Sequence, residues 1–392
     1  MSVQAQQPAT TPTETIPFYD GSASFRAYWE ELQGHLDAVV GNGQFSQGPM
    51  VAVLEQRIRD YTGARHAIAC NSGTDALIML LRSCGIGPGD EVIVPCFSFV
   101  ASASSIALVG ATPVFADIAP DSFDICPDSV RAAITPRTRA IMPVHLFHQI
   151  ADMSAIRTIA AEAGLMVIED SAEGIGMRYD GVHAGLLGRG GVLSFFPSKT
   201  LGAFGDAGMI LSDDDAVAEV AALMRHHGTD GHAVEHEAVV WGYNSKMDDI
   251  QAAVLVTRLI RLDAEIERRA ALAVRYDRGL ACLAPRVRVP RITSRPVPSR
   301  PVYYSYVIRA ERKAALMAFL AGHGVQSAEY YPRPLHLQPC FAYLGYRSGD
   351  LPVAEATCQH ALALPLYPDL SDAAVERVCE LIRRFYGQAA AP

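Results

Sequence analysis

The chain has 392 residues, half of them hydrophobic and 19% charged, with a formal net charge of −9. That length allows two domains around a substantial core, and the acidic balance argues against a nucleic-acid partner without excluding a small phosphorylated ligand. No apolar run approaches the length that crosses a bilayer, so no membrane partner is expected.

Residues 1–14 read as a disordered polar tail with neither a basic start nor an apolar segment, so no secretory signal is expected. The eight scattered cysteines form no C-x-x-C pair and mostly sit in apolar stretches, which predicts reduced core thiols and a cytoplasmic protein. PMVAVLEQRIRDYTG reads as an amphipathic helix closed by Gly63, HAIAC as a buried strand, and Ser72 as the N-cap of a helix over GTDALIMLLRSCG. EVIVP, TPVFADI, AIMPVHL and LMVIED follow as strands, separated by helices over SFVASASSIALVG, SVRAAI and ADMSAIRTIAAEAG. GVLSFF and AGMILSD add two more strands. Continuous apolar strands alternating with helices predict an α/β fold, a mostly parallel sheet buried under helices on both faces. A long amphipathic stretch then leads into a Pro- and Arg-rich segment, 285–301, and a smaller α+β pattern with a strand at VYYSYVI and a helix at RKAALMAFLAGHG. The boundary is placed near residue 262, giving a large domain over 15–262 and a small C-terminal domain over 263–392.

Three segments carry candidate chemistry. In CNSGTDALIM, Gly73 and Thr74 open a helix, whose unpaired N–H groups suit a phosphate; an ordinary capped helix is the plain alternative. VIEDSAEG ends a buried strand on Glu169 and Asp170, at the sheet edge where α/β enzymes bind ligands, although an acid there can equally be a structural acceptor. LSFFPSKTLGAFGDAGM places Lys199 in an apolar, glycine-punctuated loop between two strands. The chain holds only three lysines, Lys199, Lys246 and Lys313, against 30 arginines. Arginine cannot form an imine, so few side chains could act as an amine nucleophile. Desolvation favours the neutral, attacking amine at Lys199; the alternative is a simple pair with a buried acid. Lys313, in AERKAAL, reads as part of a solvated helix face.

Together with GDEVIVP and FSFVAS, GATPVFADI, PVHLF, RHHG, NSKMDDIQAA and PLHLQP, these segments resemble the DegT/DnrJ/EryC1/StrS family of sugar aminotransferases, in order and spacing, from about Gly48 to Tyr367. The resemblance implies a fold-type I enzyme dependent on pyridoxal 5'-phosphate, a homodimer with shared active sites, and transfer of an amino group from glutamate or glutamine to a nucleotide-linked keto sugar. It assigns Lys199 to the lysine that binds the cofactor covalently and Asp170 to the acid facing its pyridine nitrogen. Phe99 matches the aromatic stacked on the ring, and Glu173 the position near the phenolic oxygen, usually Gln or His. Gly73, Thr74 and Ser194 match phosphate ligands, Asn244 a phosphate ligand donated by the partner subunit, and Tyr331 and His336 a loop near the substrate.

Two departures stand out: His148 replaces a common glycine at the expected substrate edge, and Glu173 would repel a phenolate unless it carried a proton. The GD-x-G ending of GAFGDAG is similar to enzymes that aminate C3, while VIEDSAE is similar to some that aminate C4, so a dTDP-linked 3- or 4-keto-6-deoxy sugar is the expected acceptor. Dehydratases of the same family carry His where this chain has Lys199, and a non-catalytic cofactor-binding regulator has less need of Lys199 and Asp170. A cyclitol ketone such as an inosose is the alternative acceptor. GIGPGD follows a helix and precedes a strand, the reverse of a dinucleotide fingerprint. The histidines at 226, 227, 232 and 236 invite a metal reading, but they lack a cysteine and a firm helical pattern, so no metal is expected.

Overall fold

The computed structural model describes residues 15–229, 237–293 and 295–388; the expected tail at 1–14 lies outside them, as do His232 and His236. Seven strands build the main sheet: β1 His66–Cys70, β2 Glu91–Pro95, β3 Thr112–Ala116, β4 Thr138–Ile141, β5 Met166–Glu169, β6 Gly190–Ser194 and β7 Gly208–Ser212. Their order is β1-β7-β6-β5-β4-β2-β3. Neighbours pair in parallel from β6 across to β3, whereas β7 runs antiparallel to both β1 and β6. The sheet is mostly parallel, as expected, and its one reversed strand places the first residue of β7 at the edge where the other six strands end.

The strands are apolar because both faces are covered. Val92 and Val94 of β2 enter one core and Ile93 the other, and Val192 and Leu193 of β6 divide the same way. That alternation is the pleat of a doubly covered sheet. The flanking helices match the expected ones closely: Pro49–Thr62 stops on Gly63 at φ 86°, and Gly73–Ser83 is capped by Ser72 Oγ, which accepts from the Asp75 N–H at 3.1 Å.

The long amphipathic stretch is two helices, Asp249–Leu259 and Leu262–Leu280. The second serves two cores, with Leu262 and Ile266 in the main domain's interior and Leu272, Tyr276 and Leu280 in a C-terminal one. That C-terminal core packs on a three-stranded antiparallel sheet of β8 Val287–Arg288, β9 Tyr306–Ala310 and β10 Ala361–Leu364. Ile16 belongs to it as well, bridged to Val325. The eight cysteines are free, but only Cys70, Cys96, Cys358 and Cys379 are buried. No helix among the described residues is long and apolar enough to cross a membrane.

Candidate active site

A cavity of about 590 Å³ opens at the C-terminal edge of the parallel strands, where α/β sheets bind ligands. Ser72, Gly73 and Thr74 reach it after β1, Ser98 and Phe99 after β2, Asp170 and Glu173 after β5, and Ser194 and Lys199 from β6 and its following loop. Asp206 and Ala207 come from the approach to β7, and Tyr304, Glu329, Tyr330 and Tyr331 from the C-terminal part of the chain.

Glu169 and Asp170 look alike in sequence, yet they face opposite ways, as successive residues at a strand end do. Glu169 is fully buried and accepts backbone N–H bonds from Gly185, Leu187 and Gly188. Its Oε2 also lies 2.8 Å from His145 Nε2. The Ala151 N–H points at His145 Nδ1, so the proton of that ring sits on Nε2 and is donated to Glu169. Asp170 turns to the cavity instead, held by Ser102 Oγ at 2.6 Å and by the Ala172 N–H at 3.2 Å.

Lys199 Nζ donates to Glu173 Oε1 at 3.0 Å and lies 4.3 Å from the centroid of the Tyr304 ring. The amine does pair with a buried acid, and that acid lines the same cavity. Phe147, in the left-handed region at φ 64°, directs its N–H to Glu173 Oε2 at 2.8 Å. Burial raises the Glu173 carboxyl above its ordinary range, although Lys199 and the Phe147 N–H pull the other way. The other lysines are engaged elsewhere. Lys246 bonds Asn244 Oδ1 at 3.0 Å. Lys313 is not on a solvated face: it opens its helix and reaches inward to Glu329 and the Cys358 carbonyl, both at 2.7 Å.

The phosphate cradle can be tested by what a side chain would displace. A Cβ on Gly73 would stand 2.9 Å from Ser194 Cβ, and one on Gly208 would stand 2.3 Å from the Ser72 carbonyl carbon and 2.6 Å from the Gly73 nitrogen. Bare backbone at both positions lets β6, β7 and the first helical turn close on each other, with Thr74 and Ser194 hydroxyls at the same wall. Donors at a helix N-terminus, a fixed carboxylate and an amine in one cavity fit pyridoxal phosphate.

Three expected site residues are not brought to this cavity. His148 is buried beneath another cavity, stacked on Tyr303, with Nε2 3.2 Å from the Arg291 carbonyl. His336 is buried behind the loop and bonds Glu355 Oε1 at 3.2 Å. Both rings are desolvated and held by local partners. Asn244 is exposed, beside Lys246, and lies off the cavity of its own chain. The sequence reading in turn passed over Asp206, which its own GDAG motif contains, and Tyr304 and Tyr330, which carry no local signal because they arrive from the distant C-terminal half. Among the described residues no cluster could hold a metal ion.

Residues 27–383 match the model of the DegT/DnrJ/EryC1/StrS aminotransferase family. A pleiotropic regulatory protein from Geobacillus stearothermophilus is 44% identical over 95% of this chain and 98% of its own length. The dTDP-3-amino-3,4,6-trideoxy-alpha-D-glucose transaminase of Streptomyces venezuelae is 39% identical over 95% of this chain and 97% of its own. The crystal structure of S. venezuelae DesV in complex with a ketimine intermediate superposes with a TM-score of 0.90 at 37% identity, covering 95% of this chain and 99% of that one. The chain belongs to the DegT/DnrJ/EryC1/StrS aminotransferase family and is a pyridoxal-phosphate-dependent aminotransferase.

Proposed function

We propose that the protein transfers an amino group from glutamate or glutamine to C3 of a nucleotide-linked keto sugar, with a dTDP-linked 3-keto-6-deoxy sugar as acceptor. The observation that carries the reading is the meeting of Lys199, Asp170 and the Gly73–Thr74–Ser194 cradle in one cavity. The GDAG ending, which contains Asp206, and the 3-amino sugar named for the S. venezuelae relative support C3 over C4.

Bound pyridoxal phosphate supplies the electron sink that lets the donor's Cα proton leave and carries the amino group between the two half-reactions. Gly73, Thr74 and Ser194 hold its phosphate, and Phe99 covers its ring. Asp170 accepts from the pyridine N–H and keeps that nitrogen protonated, and Ser102 and the Ala172 N–H stop the carboxylate from swinging away. Lys199 would hold the cofactor through its amine, and that amine, when free, would take the proton from the donor's Cα. Glu173 stands beside that amine and accepts from it, and burial raises its carboxyl above the ordinary range, which eases its place near the phenolic oxygen. Tyr331 lines the substrate side.

A second copy of the chain completes the site. Phe99 is 58% exposed at the cavity and Trp241, close in sequence to Asn244, is 89% exposed, so apolar surface is open where a partner would bring its own Asn244 to the phosphate. The cytoplasm, where nucleotide sugars are made and used, is the expected compartment.

The test is a pair of half-reactions. Glutamate should convert the bound aldehyde to the amine, seen as loss of its visible absorption, and a dTDP-linked 3-keto sugar should restore it. NMR of the product shows which carbon bears nitrogen. Turnover of UDP-linked sugars alone would overturn the nucleotide, and turnover of an inosose alone would overturn the nucleotide sugar. The name of the G. stearothermophilus relative favours a regulator as second reading; a bound cofactor that no amino donor converts would support it.

A further inference from the structure

Asp170 has little freedom left in its backbone. It follows the last residue of β5, where its N–H donates to the Pro143 carbonyl and its own carbonyl accepts from the His145 N–H, both at 3.0 Å. The carboxylate is therefore oriented by the groups around the side chain. Oδ1 takes the Ala172 N–H at 3.2 Å, a bond made within its own turn. Oδ2 takes the Ser102 hydroxyl at 2.6 Å, from the helix Val100–Leu108.

Ser102 departs from what serines inside helices usually do, which is to donate back to a carbonyl three or four residues earlier. Ser83 donates to the Met79 carbonyl at 2.7 Å and Ser105 to the Ser102 carbonyl at 3.2 Å. Ser102 instead sends its proton across to Asp170, and a third group accounts for the difference. Ser98, in the loop between β2 and this helix, sets its Oγ 2.8 Å from Ser102 Oγ. A hydroxyl has one proton, and that of Ser102 is committed to the carboxylate. Ser98 is thus the donor in the bond between them, and the chain runs one way, from Ser98 to Ser102 to Asp170. Each donation polarises the next, and all three side chains are buried, where such bonds are strongest. Without the Ser98 hydroxyl, Ser102 loses its donor among the described residues and is free to turn back to the carbonyls of the preceding turn. Asp170 then keeps only the bond from its own turn.

We propose that Ser98 is a positioning residue for the amino transfer: acting through Ser102, it fixes the Asp170 carboxylate in the orientation that receives the pyridine N–H of the cofactor. That role rests on Asp170 being the acid that faces the ring nitrogen. A fixed carboxylate matters because the nitrogen must stay protonated while the ring takes up electrons.

The experiment titrates full-length apoenzyme with pyridoxal phosphate and with 1-deazapyridoxal phosphate. The second compound keeps the phosphate, aldehyde and phenol but has C–H in place of the ring nitrogen. Absorption titrations give both affinities. The parent should prefer pyridoxal phosphate by about tenfold or more, the effect of one hydrogen bond to a charged group. Ser98→Ala should cut that preference at least about threefold while leaving affinity for the deaza compound nearly unchanged. Ser102→Ala should cut it at least as far. The double variant should be no worse than Ser102→Ala, because Ser98 acts only through Ser102, whereas independent effects would multiply. Should Ser98→Ala not fold, Ser98→Cys, whose thiol is a weak donor, takes its place. A parent with no preference would overturn the proposal together with the role of Asp170. A parent that prefers the pyridine, with Ser98→Ala keeping that preference or weakening both compounds alike, would overturn the proposal alone. A double variant whose losses multiply would do the same.

Discussion

Gly208→Ala isolates the cradle from every side chain that does chemistry. The new Cβ would stand 2.3 Å from the Ser72 carbonyl carbon, 2.4 Å from its oxygen and 2.6 Å from the Gly73 nitrogen, all of them backbone atoms. Ordinary contact begins near 3.4 Å, so the turn between β1 and its helix must retreat by about 1 Å, and overpacking of this kind costs about 1–3 kcal/mol. The same retreat moves the Gly73 and Thr74 N–H groups away from the phosphate. Loss of one charge-assisted bond is worth about 1.5–3 kcal/mol, or roughly tenfold to hundredfold in cofactor affinity. Gly190→Ala is the control. Its Cβ would crowd the Leu211 carbonyl oxygen at 2.8 Å and Leu80 at 3.0 Å, at the end of β6 away from the cavity. Apoenzyme titrated with pyridoxal phosphate, followed by visible absorption, gives the affinity, and scanning calorimetry gives Tm. Both variants should lose a few degrees of Tm, and only Gly208→Ala should lose cofactor affinity. If Gly208→Ala binds cofactor as tightly as the parent, the assignment of the phosphate to this turn is wrong.

Borohydride reduction of the holoenzyme should fix the cofactor on Lys199, shown by peptide mass spectrometry, and Lys199→Ala should retain bound cofactor while losing nearly all turnover; label on Lys246 or Lys313 would refute the assignment. Mixing and exchanging subunits of Lys199→Ala and Asn244→Asp should restore partial activity, since one site of each mixed dimer then carries neither lesion; demonstrated exchange with no recovery excludes a shared site. His148 is neutral in the fold with a pKa near 4, against about 6.5 unfolded, so the unfolded chain binds the extra proton and stability falls as pH drops from about 6.5 to 4. His148→Phe should flatten that decline by about 3 kcal/mol in denaturant titrations at the two ends of the window, and parallel decline in both proteins would contradict it.

Much of the fold was legible because its strands are apolar on both faces and its helices carry local start and stop signals, as at Ser72 and Gly63. The reversal of β7 was not, because direction within a sheet is a tertiary property and AGMILSD reads the same either way. The site divides along the same line. Gly73, Thr74, Asp170, Ser194 and Lys199 follow directly from strand ends and helix starts, so segments close in sequence to a strand edge stay close in space to the cavity. Tyr304 and Tyr330 come from the C-terminal part of the chain, and no spacing announces them.

His148 and His336 are expected residues that lie off the cavity. His148 stands two residues from Leu146 and His336 five from Tyr331, both of which line the cavity, and the family resemblance suggested a shared role. A side chain's direction is decided by the backbone it departs from. Phe147 sits at φ 64°, which turns its N–H toward Glu173 while His148 stacks on Tyr303 and bonds the Arg291 carbonyl. His336 lies in a short helical turn after Pro334, and its ring packs near Phe115 and bonds Glu355. A glycine at position 148 would leave the Arg291 carbonyl without its donor.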